Sequence, residues 1–495
     1  MTPTKFNFGC RVLLAVQLAG VMIASPSSAE DKATAGKDEI EQRIQRVADG
    51  LLPAIVMAGQ SPMALSARMA ELKVPGVSVA VLHGGTIEWA RGFGSVSTGG
   101  PPVTPETLFQ AGSISKPVSA VAALALVQAG QLDLDADVNS VLKSWKIPAN
   151  SYSGESKVTL RRLLSHSAGI SVHGFPGYAA DKPVPSLIDV LNGTLPANTA
   201  PIIVEYAPGT RFQYSGGGYT IMQQLLMDVT GKPFPGLVQD IVLKPFGMTD
   251  SSFVQPLSPK EAQAAATPYR GTGAPVPGGP HTYPELAAAG LWTTPTDLAR
   301  FAQALQEAWA GRKNLVLSQS MTAQMLTPGL GDYGLSLIVK ESPPNRRFLH
   351  GGVNDGFVNV MMAFENGEGA VIMTNGARGG PLANEIMRSI ATEYRWPAGQ
   401  PKVKQRINVS AEGLERLVGT YEITPTFQIR VSREGDRLFA QATRQERYEV
   451  FPESERDFFY TIVDAVLTFD ADGPTGATQL VLHQNGIDRV AKRVP

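Results

Sequence analysis

A serine and a lysine with two residues between them, Ser113 and Lys116, stand at the start of an apolar run. A serine hydroxyl is a weak nucleophile at neutral pH and needs a neighbouring base to take its proton. A lysine amine can be that base when burial lowers its pKa, and the apolar run could supply the burial. If a helix begins at or near Ser113, the lysine lies one turn below it. An N-cap serine followed by a surface lysine would give the same pattern, so the pair alone leaves both interpretations open.

Two later groups could complete a site for acyl transfer. Tyr214 follows Ser113 by 101 residues and precedes a run of small residues, and a phenol can relay a proton once a nearby ammonium lowers its pKa. His350 is followed by Gly351 and Gly352 just before a predicted strand, where two glycines permit close backbone contact with a ligand. A buried tyrosine beside a glycine turn and a simple turn at His350 are the alternative interpretations.

Taken in order, the three groups resemble the motifs of the β-lactamase and penicillin-binding-protein-like serine hydrolase superfamily. The resemblance is to its class C branch, which contains β-lactamases, D,D-peptidases, D-aminopeptidases and esterases. It covers roughly residues 60–395 and includes four framing segments, at residues 104–109, 163–170, 245–248 and 290–295.

The resemblance implies an acyl-enzyme mechanism in two steps. Ser113 attacks a carbonyl while Lys116 and Tyr214 move the proton, and water then releases the acyl group. Which of these two side chains is the base stays open, because such a pair titrates as a unit. The resemblance places the oxyanion hole on the backbone N–H groups of Ser113 and Val353, and it makes His350 the start of the third motif.

Two departures from the family motifs bear on the substrate. Gly216 stands where the β-lactamase motif has an asparagine that holds the substrate amide, and His350 stands where those enzymes usually carry a lysine for the substrate carboxylate. A histidine with its ordinary pKa of about 6.5 is largely neutral at pH 7. Both changes favour the esterase and peptidase members over an efficient β-lactamase. Pro117 disfavours helical geometry at Lys116, so an irregular first turn is expected there.

Composition and charge exclude several function classes. The net charge is −1 and there is no basic block, so nucleic acid is not expected as a partner. Cys10 is the single cysteine. His166 and His173 have no metal-ligand spacing beside a carboxylate, so a structural role is favoured for His166, and neither a cofactor nor a metal is predicted. The loop carboxylates Glu285 and Asp355 receive no assignment.

The amino terminus is typical of a secretory signal peptide, residues 1–29. Lys5 and Arg11 precede an apolar stretch at 12–24, and small residues end at Ala29, where cleavage is expected. The chain is therefore predicted to be periplasmic or secreted. Thirteen apolar residues are fewer than the roughly 20 that span a bilayer, so no transmembrane anchor is expected after processing.

The remaining chain is predicted to be α+β. A hairpin at 74–82 and 87–96, strands at 358–364 and 369–375, and helices from Thr294 and at 382–394 suggest one antiparallel sheet assembled from both ends of the region 30–400. Helices flank this sheet, and a mainly helical lobe is inserted. A proline-rich linker at 396–401 leads to short strands at 411–495, which favour a small all-β domain, a sandwich or barrel resembling lipocalin-like modules.

The resulting hypothesis is an exported serine hydrolase acting on a small peptide or ester. A peptidase or amidase for D-residue-containing or unusual peptides leads. A carboxylesterase, a weak β-lactamase and a penicillin-binding protein without turnover follow in that order. The natural substrate, its stereochemistry and the oligomeric state stay open.

Overall fold

The computed structural model describes residues 27–154, 156–340, 343, 345–470, 476–484 and 486–495. The chain divides into two units, Met1–Gln45 and Arg46–Pro495. Most of the predicted signal peptide, residues 1–26, lies outside the described residues. Within the described part of the chain, no helix combines the length and apolarity needed to cross a membrane.

The helices are α1 Ser27–Asp49, α2 Leu65–Leu72, α3 Ser115–Gln128, α4 Val138–Val141, α5 Leu160–Leu164, α6 Leu187–Asn192, α7 Gly216–Thr230, α8 Phe234–Val238, α9 Pro259–Ala264, α10 Leu286–Ala289, α11 Pro295–Trp309, α12 Gln319–Met325, α13 Gly379–Glu393 and α14 Ala411–Glu415. The strands are β1 Ile55–Met57, β2 Gly76–His83, β3 Thr86–Gly94, β4 Phe109–Gln110, β5 Trp292–Thr293, β6 Ile338–Lys340, β7 Arg347–Asn354, β8 Phe357–Phe364, β9 Gly369–Thr374, β10 Lys402–Lys404, β11 Gly419–Thr424, β12 Phe427–Glu434, β13 Arg437–Ala442, β14 Arg447–Pro452, β15 Asp457–Phe459, β16 Ala465–Phe469, β17 Gln479–Gln484 and β18 Ile487–Val494.

A six-stranded antiparallel sheet organises the larger part of the chain, in the order β3-β2-β9-β8-β7-β6. Its hairpin from the N-terminal side, β2 and β3, pairs through β2 with β9 from the C-terminal side, so the prediction of one sheet built from both ends is confirmed. Strands β2 and β9 are buried almost throughout, and α11 and α13 pack against the sheet. The predicted start of α11 is also confirmed, because the Thr294 side chain accepts a hydrogen bond from the Asp297 N–H.

Helix α3 lies at the centre of the helical lobe. It is apolar on every side and buried over most of its length, which is the pattern of a core helix rather than a surface helix. It packs against α7, α8 and α10, which belong to the segment inserted between β3 and β6. The α+β prediction is therefore confirmed.

The last strands, β11 to β18, form a closed eight-stranded barrel. Its interior is filled by side chains such as Tyr421, Phe458 and Phe469, so it is a packed core. The sequence left a sandwich and a barrel open, and the structure decides for the barrel.

Two strands of the main sheet, β6 and β7, escape the sequence analysis. His350 was expected just before a strand, but it lies inside β7. The strand contains two glycines and a histidine, which carry little β-propensity, so its apolar alternation is too weak to recognise. Its pairing with β8 along the full length supplies the stability that its own residues lack.

Candidate active site

Ser113 and Lys116 are brought together by an irregular helix start. Ser113 lies in a 3₁₀ turn at Gly112–Ile114, and α3 begins only at Ser115, as Pro117 led us to expect. The Lys116 Nζ lies 3.0 Å from the Ser113 Oγ and donates a second hydrogen bond, of 2.8 Å, to the Ala288 carbonyl. Lys116 is 2% exposed. The amine is therefore held at proton-transfer distance from the hydroxyl.

Tyr214 lies directly before α7, next to this pair. The Lys116 Nζ is 4.9 Å from the centre of the Tyr214 ring. Two histidine rings contact the tyrosine, His166 at a centroid distance of 4.2 Å and His173 at 5.0 Å. The structure therefore brings Ser113, Lys116 and Tyr214 together in one place.

His166 holds the tyrosine segment in position. Its Nδ1 accepts a hydrogen bond of 3.0 Å from the Ser215 N–H, so that nitrogen carries no proton. Complete burial, with smaller contributions from Lys116 and His350, lowers the pKa of His166 well below 6.5. A neutral ring can thus stack on Tyr214 without adding charge. The sequence favoured a structural role for His166 but gave no sign that its partner is Tyr214.

His350 lies in β7 with both ring nitrogens occupied. Its Nδ1 is 2.5 Å from the Gly351 carbonyl, which can only accept, so Nδ1 carries the proton. Its Nε2 then accepts from the Tyr333 hydroxyl at 2.7 Å. Burial, and secondarily Lys116, lowers the pKa of His350 to about 3, so the ring is neutral at pH 7. No motif or spacing marked Tyr333 in the sequence.

The backbone of β7 approaches the serine turn very closely. A Cβ added to Gly352 would lie 1.9 Å from the Ala111 carbonyl oxygen, and one added to Gly112 would lie 2.6 Å from the Val353 N. Gly112 also has a φ of +56°, which favours glycine. A Cβ added to Gly351 would lie 3.7 Å from its nearest neighbour. Of the two glycines that follow His350, therefore, only Gly352 is needed for the close approach. The amides of Ser113 and Val353 therefore come from two touching segments.

These groups line one cavity of about 570 Å³. The lining residues are Ser113, Lys116, His173, Gly174, Phe175, Phe212, Tyr214, Ala288, Ala289, Gly331, Tyr333, Ile338, His350, Gly351, Val353 and Asn354. The cavity brings together six of the predicted site residues with an aromatic wall that the sequence did not reveal. Gly216 and Gly352 do not line it. A side chain at Gly352 would meet the Ala111 backbone, and one at Gly216 would meet the Phe175 ring first.

Glu285 and Asp355, which received no role, lie near the cavity but outside its lining. Glu285 is fully buried at the start of α10, and neither carboxyl oxygen has a partner among the described residues. Burial raises its pKa to about 8, so the carboxyl is mostly protonated at pH 7. Asp355 is partly exposed, 4.0 Å from His281. The described residues contain no cluster of three or more side chains that could hold a metal ion.

Comparisons with known proteins show which families the chain is similar to. A family model described as Beta-lactamase matches residues 64–392, and a domain of unknown function, DUF3471, matches residues 403–489. Penicillin-binding protein 4* of Bacillus subtilis (strain 168) is 23% identical over 445 residues, which cover 84% of this chain and 94% of that protein. Esterase EstB of Burkholderia gladioli is 30% identical over 227 residues, 44% of this chain and 56% of the esterase.

Solved structures share the fold. The octameric penicillin-binding protein homologue from Pyrococcus abyssi aligns with a TM-score of 0.58 at 22% identity, covering 86% of this chain and 98% of that one. SurE, solved with D-Leu, aligns with a TM-score of 0.52 at 21% identity, covering 87% and 97%. The chain belongs to the beta-lactamase family, the serine hydrolases of the beta-lactamase fold.

Proposed function

We propose that Ser113 is the nucleophile of an acyl-transfer reaction in which Lys116 and Tyr214 carry the proton. The distance of 3.0 Å between the Lys116 Nζ and the Ser113 Oγ is the observation that carries the proposal. The Ser113 Oγ forms a bond to the substrate carbonyl carbon while its proton passes to the amine or the phenolate. That proton then goes to the leaving group as the carbonyl–leaving-group bond breaks. Water attacks the acyl-enzyme by the same path in reverse and releases the acid.

The backbone N–H groups of Ser113 and Val353 are proposed to form the oxyanion hole. The contact between the serine turn and β7 supports this, because it brings both segments to one side of the cavity. Loss of one such donor commonly costs about 100- to 1,000-fold in rate. Gly351, Gly352 and Gly216 take part through their backbone and by leaving space. His350, held neutral by burial and hydrogen-bonded to Tyr333, orients the β7 edge and offers no positive charge to a carboxylate.

The proposed substrates are peptides or amides, above all those with D-residues or other unusual features. The whole-length similarity to penicillin-binding protein 4* and the fold shared with SurE, solved with D-Leu, support this class. Carboxylesterase is the second candidate, favoured by the 30% identity with Esterase EstB. Weak β-lactamase activity and stable acylation without turnover are the remaining alternatives. We also propose export with cleavage near Ala29, supported by the basic and apolar pattern before it.

Mass spectrometry of products from a mixed panel tests the proposal. The panel holds L- and D-containing peptides, a muropeptide, a short-chain ester and a cephalosporin. We expect peptide fragments from the wild type and none from Ser113→Ala. Ser119→Ala is the matched control, because its buried hydroxyl lies in α3, the helix that follows the serine turn, and has no partner among the described residues.

Each outcome of the panel decides between the candidates. Hydrolysis of the ester without peptide fragments would move the assignment to carboxylesterase. A persistent acyl mass on the protein would favour the non-turnover alternative. Full activity of Ser113→Ala would end the serine hydrolase account of this site.

A further inference from the structure

We infer that Phe175 makes the cavity selective for substrates with a neutral, apolar acyl group. The inference rests on the proposed function and names the substrate class of that same site. The cavity must hold the acyl group through both steps, whereas the leaving group departs after the first. The cavity walls beside Ser113 therefore determine which acyl groups the site accepts.

The segment that carries Phe175 is pinned to the start of α7. Within residues 171–175, the His173 carbonyl accepts from the Gly216 N–H and the Val172 carbonyl accepts from the Gly217 N–H, each at 3.0 Å. Val172 has a φ of +61°, a conformation that a β-branched residue adopts only when its surroundings impose it. The first backbone N–H groups of α7, which have no partner within the helix, thus hold the segment in one strained backbone conformation.

This path places the Phe175 ring over Gly216. A Cβ added to Gly216 would lie 2.8 Å from a ring carbon of Phe175 and 3.2 Å from the His173 carbonyl oxygen. Position 216 therefore cannot present a polar side chain to the substrate, and the aromatic ring takes that space. Phe212 lines the same cavity, and its ring packs 5.4 Å from that of Tyr333.

The charges around the cavity disfavour an acidic acyl group. Lys116 is the one lysine or arginine among the described lining residues, and its amine is engaged by Ser113 and the Ala288 carbonyl. His350 is neutral, with both nitrogens bonded. A carboxylate entering this cavity would lose water and find no lysine or arginine in the described lining other than the engaged Lys116, whereas an alkyl or aryl group would gain contact with the aromatic wall.

Three p-nitrophenyl esters with one leaving group test the inference: acetate, hexanoate and the monoester of adipic acid. The last two share a six-carbon acyl chain and differ by a terminal carboxylate. For the wild type we expect kcat/KM for hexanoate to exceed that for the adipate monoester and for acetate by on the order of 10- to 100-fold. Phe175→Ala should lower the hexanoate-to-acetate ratio about tenfold, and Phe175→Leu, which keeps an apolar wall, should lower it less.

A rescue experiment tests the geometry separately. Gly216→Asn should lose most activity because its side chain meets the Phe175 ring, and Phe175→Ala/Gly216→Asn should recover part of it. Phe439→Ala, in the barrel strand β13, is the matched control and should keep the wild-type ratio. Melting temperatures check that each variant is folded.

The outcomes separate this inference from the proposed function. An unchanged ratio in Phe175→Ala, or equal turnover of the hexanoate and adipate esters, would overturn the inference while the serine mechanism stands. No labelling of the wild type by a fluorophosphonate, with no hydrolysis of any ester, would overturn the mechanism and the inference with it.

Discussion

At the scale of single residues, the site controls charge by burial. Three side chains that normally ionise between pH 4 and 7 are held neutral, His166 and His350 as uncharged imidazoles and Glu285 as a protonated carboxyl. In each case burial disfavours the charged form. The neutral states of His350 and Glu285 each have a measurable consequence.

His350 should not appear in the pH profile of the reaction. Because its pKa lies at about 3, the ring stays neutral from pH 5 to pH 8. We expect the shape of the kcat/KM profile in this range to be the same in wild type and His350→Gln, whatever the change in absolute rate. Ester hydrolysis at constant ionic strength measures both profiles. A limb near pH 6.5 that disappears in the variant would contradict the neutral histidine.

Glu285 should make the folded protein less stable as the pH rises. The folded state keeps the proton up to about pH 8, whereas the unfolded chain releases it near 4.5, so the free energy of unfolding falls between these values. The total loss is up to about 5 kcal/mol. Glu285→Gln should remove this part of the pH dependence, as urea unfolding from pH 4.5 to 8.5 would measure.

The exposed Glu106 provides the control for that experiment, since Glu106→Gln changes the same chemical group where no burial acts on it. Equal slopes of unfolding free energy against pH in wild type and Glu285→Gln would mean that the buried carboxyl does not hold its proton.

At the scale of elements, the site depends on contact between a turn and a strand. The serine turn precedes α3, and β7 belongs to the sheet, yet Gly112 and Gly352 let their backbones touch. Neither element forms this arrangement alone. Helix α7 adds Tyr214 at its N-terminus, and its glycines admit the segment at 171–175.

Gly352→Ala should separate the turn from the strand. A Cβ there would lie 1.9 Å from the Ala111 carbonyl oxygen, and backbone must move to relieve it. We expect kcat/KM to fall by at least about 100-fold as the two proposed oxyanion donors move apart. Gly236→Ala in α8, where the added Cβ meets nothing within 4 Å, is the comparison variant. Retained activity in Gly352→Ala would argue against an oxyanion hole between these segments.

At the scale of the whole molecule, the sheet and the barrel have separate cores. The barrel closes on itself, and β10 in the connecting segment pairs with β1. Lys402 and Lys404 of that segment form ion pairs with Asp464 and Glu453 of the barrel. All described residues that line the cavity lie between Ser113 and Asn354, so the barrel contributes none of them.

A chain ending at residue 408 should therefore keep its chemistry. It retains β10 and every lining residue, and we expect kcat/KM for a small ester to stay within about threefold of the full chain. Circular dichroism checks its folding, and a long peptide substrate run in parallel tests whether the barrel limits access. Loss of small-ester hydrolysis by a folded truncated chain would show that the barrel supports the site.

The sequence by itself determined what depends on short spacing and strong periodicity. Ser113 and Lys116 are neighbours on one turn, so their contact needs no tertiary information, and Pro117 already indicated the irregular start. The long apolar strands and α11 were recognisable for the same reason. The position of Tyr214 beside the pair came from the resemblance, because 101 residues of chain separate it from Ser113.

Only the tertiary structure decided which distant residues shape the cavity. Tyr333 reaches His350 because Tyr333 bridges to Ile338 of β6 and β6 pairs with β7. Phe175 covers Gly216 because the segment at 171–175 accepts hydrogen bonds from the amides of α7. Strand β7 itself exists through its partners, since its glycines favour no strand. Contacts of this kind depend on hydrogen bonds between segments that are distant in the chain, so they leave no local pattern in the sequence. They determine the shape of the cavity in which the serine–lysine pair would bind a substrate.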